Sequence, residues 1–328
     1  MNVSRFINIK NELIKCEVQF VTPAFLGGAN QSAELRTPPF KAALRWWWRV
    51  LFGAQYNNEI YKEESKRFGS TDNASKVRIE IVGNFDSAKT EYFKGRDIFV
   101  TSRSRNNGQP FKINLIDYLA FGLCDRKNYT RNYFSPNSIF DMNISIHKSY
   151  KQELLLCLHA LFIFGGIGSR SRNGFGSICL VSAIEKSCYD LKWQLEKPQN
   201  YPTLNCFSKL YETGKRNSWN EALSDIAEAY RKARLSLENR HSFDKRALLS
   251  LPIIAQGISN NNRSPKQFMM HVAKTANNQF IGRILSLPII HEQQKEYNDM
   301  VQNMHLGFAK AGLIDKTDDI SKLLGVEK

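Results

Sequence analysis

Three short segments in the first half of the chain alternate polar and apolar residues, which is the pattern of half-buried β-strands. A fourth apolar segment follows a glycine-rich loop. These predicted strands are residues 16–21, 77–82, 139–147 and 177–182. Residues 37–53 begin with Thr37 before two prolines and end at Gly53, and residues 151–164 are apolar almost all round. Both segments are typical of helices, the second of a helix buried on every side.

The order strand, helix, strand, strand, helix, strand is that of ferredoxin-like folds, an α+β arrangement that RNA-recognition domains share. It predicts a four-stranded antiparallel sheet backed by two helices. Residues 84–138, between the second and third strands, are too long for a hairpin connection. We expect this insert to be functional or mobile.

The pattern changes after Lys186, and we place a boundary there, giving an N-terminal domain of residues 1–188 and a C-terminal α+β domain of residues 189–328. Residues 219–238 predict a charged amphipathic helix. Two similar segments, RALLSLPII at residues 246–254 and RILSLPII at residues 283–290, are expected to form two strands with proline at an edge or bend.

The chain of 328 residues carries a net charge of +15, from 46 Lys and Arg against 31 Asp and Glu. This balance favours polyanionic partners, nucleic acid first, although a merely basic protein has the same composition. The longest apolar run, Leu154–Phe164, is about half of a membrane span, and the first residues do not form a secretory signal. Six scattered cysteines without a C-x-x-C pair indicate reduced thiols, so we expect a cytoplasmic protein without a membrane partner.

The segment KAALRWWWR at residues 41–49 carries cations and aromatic rings on one predicted helix. At about 100° per residue, Trp47 and Trp48 fall on the core-facing arc. Trp46 falls opposite that arc, where an indole either packs on a second element or stacks with a base. Three uncompensated cations on one stripe repel each other, which favours a bound anion. The stripe consists of Lys41, Arg45 and Arg49.

A glycine-rich loop, GGIGSRSRNGFG at residues 165–176, links the buried helix to the fourth strand. Glycine lets backbone N–H groups approach a phosphate, and Arg170 and Arg172 would neutralise it. The loop is neither a Walker loop nor a dinucleotide fingerprint, because it leaves a helix instead of opening one. The alternative is a flexible turn with solvated arginines.

Basic and aromatic residues also interleave in the insert, at residues 93–96, 101–105 and 126–134. Such a loop suits a groove that follows a single nucleic-acid strand, and it equally suits a solvated surface.

The sequence is poor in catalytic motifs. The six histidines show no metal-binding spacing, and no motif indicates a cofactor. A metal-independent ribonuclease needs only a general base and a positioned cation, so Asp141 and His147 stay open as candidates.

Several of these motifs together resemble RAMP-superfamily CRISPR proteins, more narrowly the first-numbered subunits of type III-B Cmr effector complexes. The similarity rests on TPAFLGGAN at residues 22–30, ELR at 34–36, PFKAALRWWWR at 39–49, FGS at 68–70 and the glycine-rich loop. The chain departs from the family pattern at Phe40 and Ala42, where a small residue and a glycine are usual.

The resemblance implies two ferredoxin-like units and a non-catalytic RNA-binding subunit of an antiviral effector complex. Such a subunit contacts the 3′ region of the guide RNA, the target RNA and other Cmr subunits, which make the cut. The alternatives are an endoribonuclease that processes CRISPR repeat RNA and a scaffold whose cationic stripe is covered by acidic residues. The residues we expect to bind RNA are Asn30, Arg36, Lys41, Arg45, Trp46, Arg49, Ser169, Arg170 and Arg172.

Overall fold

A computed structural model of the chain describes residues 10–28, 32–83, 99–103, 108–125, 128–129, 131–239, 244–249 and 265–326. The strands in these ranges are β1 (Asn11–Phe20), β2 (Val77–Val82), β3 (Phe99–Arg103), β4 (Pro110–Asn114), β5 (Cys124–Asp125), β6 (Asn128–Tyr129), β7 (Ile139–His147), β8 (Ile178–Leu180), β9 (Lys209–Glu212), β10 (Phe268–Lys274), β11 (Phe280–Ser286) and β12 (Ile314–Asp315). The helices are α1 (Thr37–Tyr56), α2 (Ile60–Phe68), α3 (Leu115–Leu119), α4 (Lys151–Phe164), α5 (Trp219–Leu235), α6 (Asp244–Leu249), α7 (Gln294–Lys310) and α8 (Ile320–Leu324).

The first unit has the predicted ferredoxin-like topology. Its four strands lie in the order β2-β7-β1-β8, and every neighbouring pair is antiparallel. Alternate residues of β1 are buried, as its pattern predicted, and α1 and α4 pack in the same core. The insert between β2 and β7 contains β3 to β6 and α3 within its described residues. Helix α2, which directly follows α1, was not predicted.

The second unit repeats the same topology. Strand β9, helix α5, strands β10 and β11, helix α7 and strand β12 follow one another, and the antiparallel sheet has the order β10-β11-β9-β12. The expectation of two ferredoxin-like units is therefore confirmed.

One expectation for the second unit is wrong. The copy of the internal repeat at Arg283 forms part of β11, but residues 244–249 of the other copy are helical, and residues 250–254 lie outside the described residues. The carboxylate of Glu238 accepts hydrogen bonds from the backbone N–H of Lys245 (2.8 Å) and of Arg246 (3.1 Å). An acidic group at the first turn stabilises a helix, and apolar patterning alone could not show it.

Helix α4 lies between the two sheets. Its leucines are buried in one core with Met269 of β10 and Leu285 of β11, which explains why the helix is apolar all round. The second unit also accepts the end of this helix. The guanidinium of Arg283 donates to the carbonyl of Ile163 (3.1 Å), and Nδ1 of His271 lies 2.6 Å from the carbonyl of Gly165.

The hydrophobic cores cross the predicted boundary at residue 188. Leu191, Trp193 and Leu324 pack in the core of the first unit. Conversely, the insert helix α3 packs through Leu115, Ile116 and Leu119 in the core that holds α5 and α7. The place of the boundary stays a prediction.

The glycine-rich loop is folded tightly on its own backbone. The N–H groups of Ile167, Ser169 and Gly176 donate to carbonyls of Gly176, Phe25 and Pro23, at 2.8 to 2.9 Å. A Cβ at Gly165 would lie 2.6 Å from the indole nitrogen of Trp47, and one at Gly176, where φ is 61°, would collide with the carbonyl of Ile167. These glycines therefore permit close packing of the chain, which is a different role from the expected one of exposing N–H groups to a phosphate.

Across the residues described, no helix is both long and apolar enough to cross a membrane.

The first prediction concerns the packing of this loop. Gly176→Ala should lower the free energy of unfolding by at least about 2 kcal/mol more than Gly312→Ala, measured by chemical denaturation. Gly312 also has a positive φ (84°) but has open space where a Cβ would lie, so it isolates the backbone strain. Equal losses in the two variants would contradict the packing role.

A second prediction follows from two buried histidines. Burial first, and then the charge of Arg283, lower the pKa of His271 to about 3, whereas burial and Lys209 lower the pKa of His305 to about 4. Both side chains therefore stay neutral in the folded protein at pH values where histidines of the unfolded chain, with a pKa near 6.5, already take up protons.

The stabilisation is complete above about pH 6.5 and is lost as the pH falls toward the folded-state pKa values. At about pH 5 the loss should be about 2 kcal/mol for each histidine, measured as the free energy of unfolding in guanidinium. His271→Gln and His305→Gln should each make the pH dependence shallower. An unchanged slope in both variants would show that other groups control acid unfolding.

Candidate functional site

The predicted cationic stripe lies on α1, but two of its three members share one carboxylate, which offsets one of their two positive charges. The guanidinium groups of Arg45 and Arg49 both donate to the carboxylate of Glu64 on α2, with Arg45 Nε 2.6 Å and Arg49 Nη2 3.0 Å from Oε1. Glu64 is 1% exposed. The expectation of an uncompensated stripe is therefore wrong for Arg45 and Arg49, because the helix that carries the counter-charge was not predicted.

The contact of Glu64 with Arg45 and Arg49 keeps the carboxylate ionised. Burial alone would raise the pKa of the Glu64 carboxyl group, but the hydrogen bonds from Arg49 and Arg45 lower that pKa below its usual value. Lys41, the third member of the stripe, donates to the hydroxyl of Ser75 at 2.8 Å and has no carboxylate partner in the described part of the chain. The ion pairs of Glu64 with Arg45 and Arg49 thus fix α2 to α1, and Lys41 is the cation of the stripe that stays available to a ligand.

Trp47 and Trp48 are buried, as predicted. Trp47 packs against Phe164 at the end of α4, with ring centroids 6.2 Å apart. The indole N–H of Trp48 donates to Glu153 at 2.7 Å, and the guanidinium of Arg67 lies 4.8 Å from the centre of its ring. These contacts attach α1 to α4 and so hold α1 beside the glycine-rich loop.

Trp46 is half-buried and lies beside the loop. The guanidinium carbon of Arg172 is 5.2 Å from the centre of its ring, within the range of a cation–π contact. The structure therefore brings together two of the residues that we expected to bind RNA. On this face the ring holds an arginine, so a base could stack there only if Arg172 moved.

The arginines of the glycine-rich loop differ from those of the stripe in charge compensation. Arg170 is exposed and has a φ of 60°, a left-handed conformation that directs it away from the loop core, toward Gly122 of the insert. Arg172 is half-buried, and burial lowers the pKa of its guanidinium. Neither arginine forms an ion pair with a carboxylate in the described ranges.

A cavity of about 480 Å³ opens at Gly168 and Ser169, the loop residues that precede these arginines. The side chain of Arg36 lies at its edge and donates to the carbonyl of Gly27 at 3.1 Å. Asn30, expected at the same place, lies outside the described residues. The lining consists of Phe25, Leu26, Gly27, Gly28, Pro39, Arg131, Gly168 and Ser169.

Arg131 is a cation of this cavity that we did not single out from the sequence. It belongs to the basic and aromatic run at residues 126–134, which is visible in the sequence. The sequence did not show that this run lies beside the glycine-rich loop.

Lys266 and Arg234, from the second unit, were missed altogether. The ammonium group of Lys266 donates to the carbonyl of Arg172 (3.0 Å) and to the side-chain oxygen of Asn173, and it lies 5.4 Å from the centre of the Tyr230 ring. Arg234 donates to the hydroxyl of Tyr118 at 3.1 Å. No sequence pattern links these positions to a loop about 60 to 100 residues earlier.

The open face of the first sheet does not provide the stacking surface that RNA-recognition domains use. The central strands β1 and β7 present Lys15 and Glu17 beside Asn143 and Asp141, which are polar groups of both signs. Among the described residues, the glycine-rich loop is therefore the candidate nucleic-acid interface.

The two candidates for a general base lie at opposite ends of β7. Asp141 pairs with Glu17, whereas His147 pairs with Asn11. Six residues of extended strand separate them by about 20 Å, so they cannot act on the same phosphate. Within the described ranges, no three His, Cys, Asp or Glu side chains come close enough to hold a metal ion.

Comparisons with known proteins agree with this architecture. The family model of the RAMP superfamily matches residues 17–179. CRISPR system Cmr subunit Cmr1-1 of Pyrococcus furiosus is 30% identical over 164 residues, which cover 48% of this chain and 44% of that protein. Subunit Cmr1-2 of the same organism is 29% identical over 178 residues, covering 49% of this chain and 91% of that protein. The match thus spans less than half of the length of Cmr1-1.

Solved structures show the same fold over most of the chain. Cmr1 from Pyrococcus furiosus, in its apo form, superposes with a TM-score of 0.54 at 18% identity and covers 93% of this chain and 98% of its own. A chain of the type III-B Cmr-beta complex bound to cognate target RNA superposes with a TM-score of 0.56 at 14% identity, covering 90% and 99%. Residues 17–179 therefore form a RAMP-superfamily domain, and the chain is similar to Cmr1 proteins.

Proposed function

We propose that this chain is a non-catalytic RNA-binding subunit of a type III-B CRISPR effector complex, in which it contacts the 3′ region of the guide RNA, the target RNA and other Cmr subunits. The observation that carries the proposal is the pair Arg170 and Arg172. Their charges stand without carboxylate partners in the described structure, on a loop whose preceding residues Gly168 and Ser169 line a cavity in the RAMP domain.

The geometry suits a single strand better than a duplex. A cavity of about 480 Å³ can take part of one nucleotide unit, and Arg131 supplies a cation in its lining for a phosphate. Arg170 and Arg172 follow the lining residue Ser169 on the same loop. The similar complex solved with cognate target RNA supports an RNA ligand over DNA or an acidic protein.

The remaining predicted residues fall into two groups. Arg36, Ser169 and Lys41 lie where they could contact the same strand, and Trp46 positions Arg172. Arg45 and Arg49 are committed to Glu64, so we expect them to contribute mainly to stability.

The third prediction tests this division by RNA binding. Arg170→Ala/Arg172→Ala should weaken binding of a labelled single-stranded RNA at least about tenfold at low salt, because each loss removes a charge-assisted contact. The slope of log affinity against log salt should fall by about 0.7 per contact, or about 1.4 in total. Fluorescence anisotropy as salt is varied measures both quantities.

Two comparisons make this test specific. Lys192→Ala/Lys316→Ala changes net charge by the same amount at exposed lysines that are paired with Asp190 and Asp319. Arg45→Ala/Arg49→Ala should lower the unfolding free energy, because it leaves Glu64 buried and unpaired. The same variant should keep a salt slope close to that of the wild-type protein. Equal affinities for the loop variant and the lysine control would place the RNA elsewhere.

The fourth prediction concerns catalysis. The purified protein, incubated with CRISPR repeat RNA and a chelator, should leave the RNA intact. His147→Ala should make no difference, because the proposed subunit is non-catalytic and Nδ1 of His147 already accepts a hydrogen bond from the backbone N–H of Ser149 at 3.3 Å. Cleavage at a defined position that disappears in His147→Ala would favour the endoribonuclease instead.

A further inference from the structure

Four cations meet where the glycine-rich loop of the first unit touches the second unit. Lys266 is in the middle of this seam cluster, which we define as Lys266, Arg170, Arg172 and Arg234. The repulsive charges that act on Lys266 are those of Arg172, Arg234 and Arg170, in that order. None of the four has a carboxylate in ion-pair contact among the residues that the structure describes.

The acid that acts on this cluster is already engaged. The charge of Glu238 favours the charged form of Arg234, but the carboxylate of Glu238 already pairs with Arg246 at 2.8 Å. Elsewhere in the molecule, a buried acid lies between converging cations and offsets part of their charge, as Glu64 does for Arg45 and Arg49. The seam cluster lacks that provision, so its assembly costs free energy in the absence of an anion.

A second observation shows an acceptor missing from the same place. Nε of Arg234 is buried and finds no hydrogen-bond partner in the described structure. A buried donor without an acceptor destabilises the folded protein. Lys266 uses two of its three N–H donors, on the carbonyl of Arg172 and on Asn173, which fixes the ammonium group and leaves one donor.

Position decides the kind of anion. The backbone carbonyl of Arg172 accepts from Lys266, while the side chain of Arg172 lies over Trp46. The seam cluster thus extends from the loop whose Gly168 and Ser169 line the cavity onto the second unit. A strand that leaves the cavity along this loop would pass Arg170 and Arg172 and reach Lys266.

We propose that Lys266, held by Asn173 and Tyr230, binds a phosphate group of the RNA strand at the seam between the two units, together with Arg170 and Arg172. This inference rests on the proposed function and adds a site from the second unit. The recognised chemistry is one phosphodiester oxygen facing an ammonium group and two guanidinium groups, without base contacts.

The site has a pH-dependent property that an ordinary surface lysine lacks. Burial, reinforced by Arg172, Arg234 and Arg170, lowers the pKa of Lys266 to about 7. The other groups that face it are the Tyr230 ring and the neutral side chain of Asn173. A bound phosphate raises the pKa of the amine, so binding takes up a proton, and affinity must fall as the pH rises through about 7.

The experiment measures binding of labelled oligouridylate to the full chain as the pH is varied. Between about pH 6.5 and about pH 8 the affinity of the wild-type protein should fall by up to about eightfold, which is the change in the protonated fraction of a group with a pKa of about 7. Lys266→Arg keeps the charge at every pH and should bind tightly with a flat profile. Lys266→Met should bind weakly with a flat profile.

Lys192→Met, at an exposed lysine paired with Asp190, serves as the matched control and should keep the wild-type profile. Thermal unfolding of each variant confirms that it is folded. If Arg170→Ala/Arg172→Ala weakens binding but both Lys266 variants retain the wild-type affinity and pH profile, the seam site is wrong and the proposed function stands. If the wild-type protein binds an acidic peptide instead of RNA, or binds no RNA, both proposals fall.

Discussion

The burial of α4 between two sheets is the constraint on which the rest of the structure depends. An apolar helix covered on both sides needs a second unit, and that unit also supplies Arg283 and His271 for the carbonyls at the helix end. The chain that leaves α4 is therefore anchored on both sides before it enters the glycine-rich loop. Trp47, seated against Gly165, attaches α1 to the same point. The loop arginines stand on a rigid support.

Much of this architecture could be predicted from residue patterns. The bounds of α4 and β7 were predicted to the residue, because alternation and all-round apolarity report directly on burial. The first unit followed from its element order. Helix α2 and strands β9 and β10 were missed. Helix α2 is dominated by charges, β9 has only four residues and is too short to show a period, and β10 is buried over its first five residues and so does not alternate. Helix α6 depends on a distant carboxylate, which no local pattern contains.

The sequence predicted several cations of the candidate site, but it did not predict which of them form ion pairs with carboxylates. Sequence identified Arg45, Arg49, Arg170 and Arg172 as cations of equal standing. The structure separates them, because Glu64 lies between the first two and no acid of the described chain reaches the others. Which cation is neutralised depends on helices that approach from elsewhere, and the same holds for Lys266, which becomes part of the site only through packing of the second unit.

The insert helix α3 has a consequence for the order in which the chain can assemble. Asn114 caps the helix by accepting from the N–H of Ile116 at 2.9 Å, so a single turn is locally encoded. Its leucines, however, are buried against α5, a helix that lies about 100 residues further along the chain. Closing so long a loop is slow, and the apolar side of α3 stays exposed to water until the second unit has formed. During synthesis, the N-terminal half must therefore wait with an open hydrophobic surface, which makes this step the point at which the nascent protein is most exposed to aggregation.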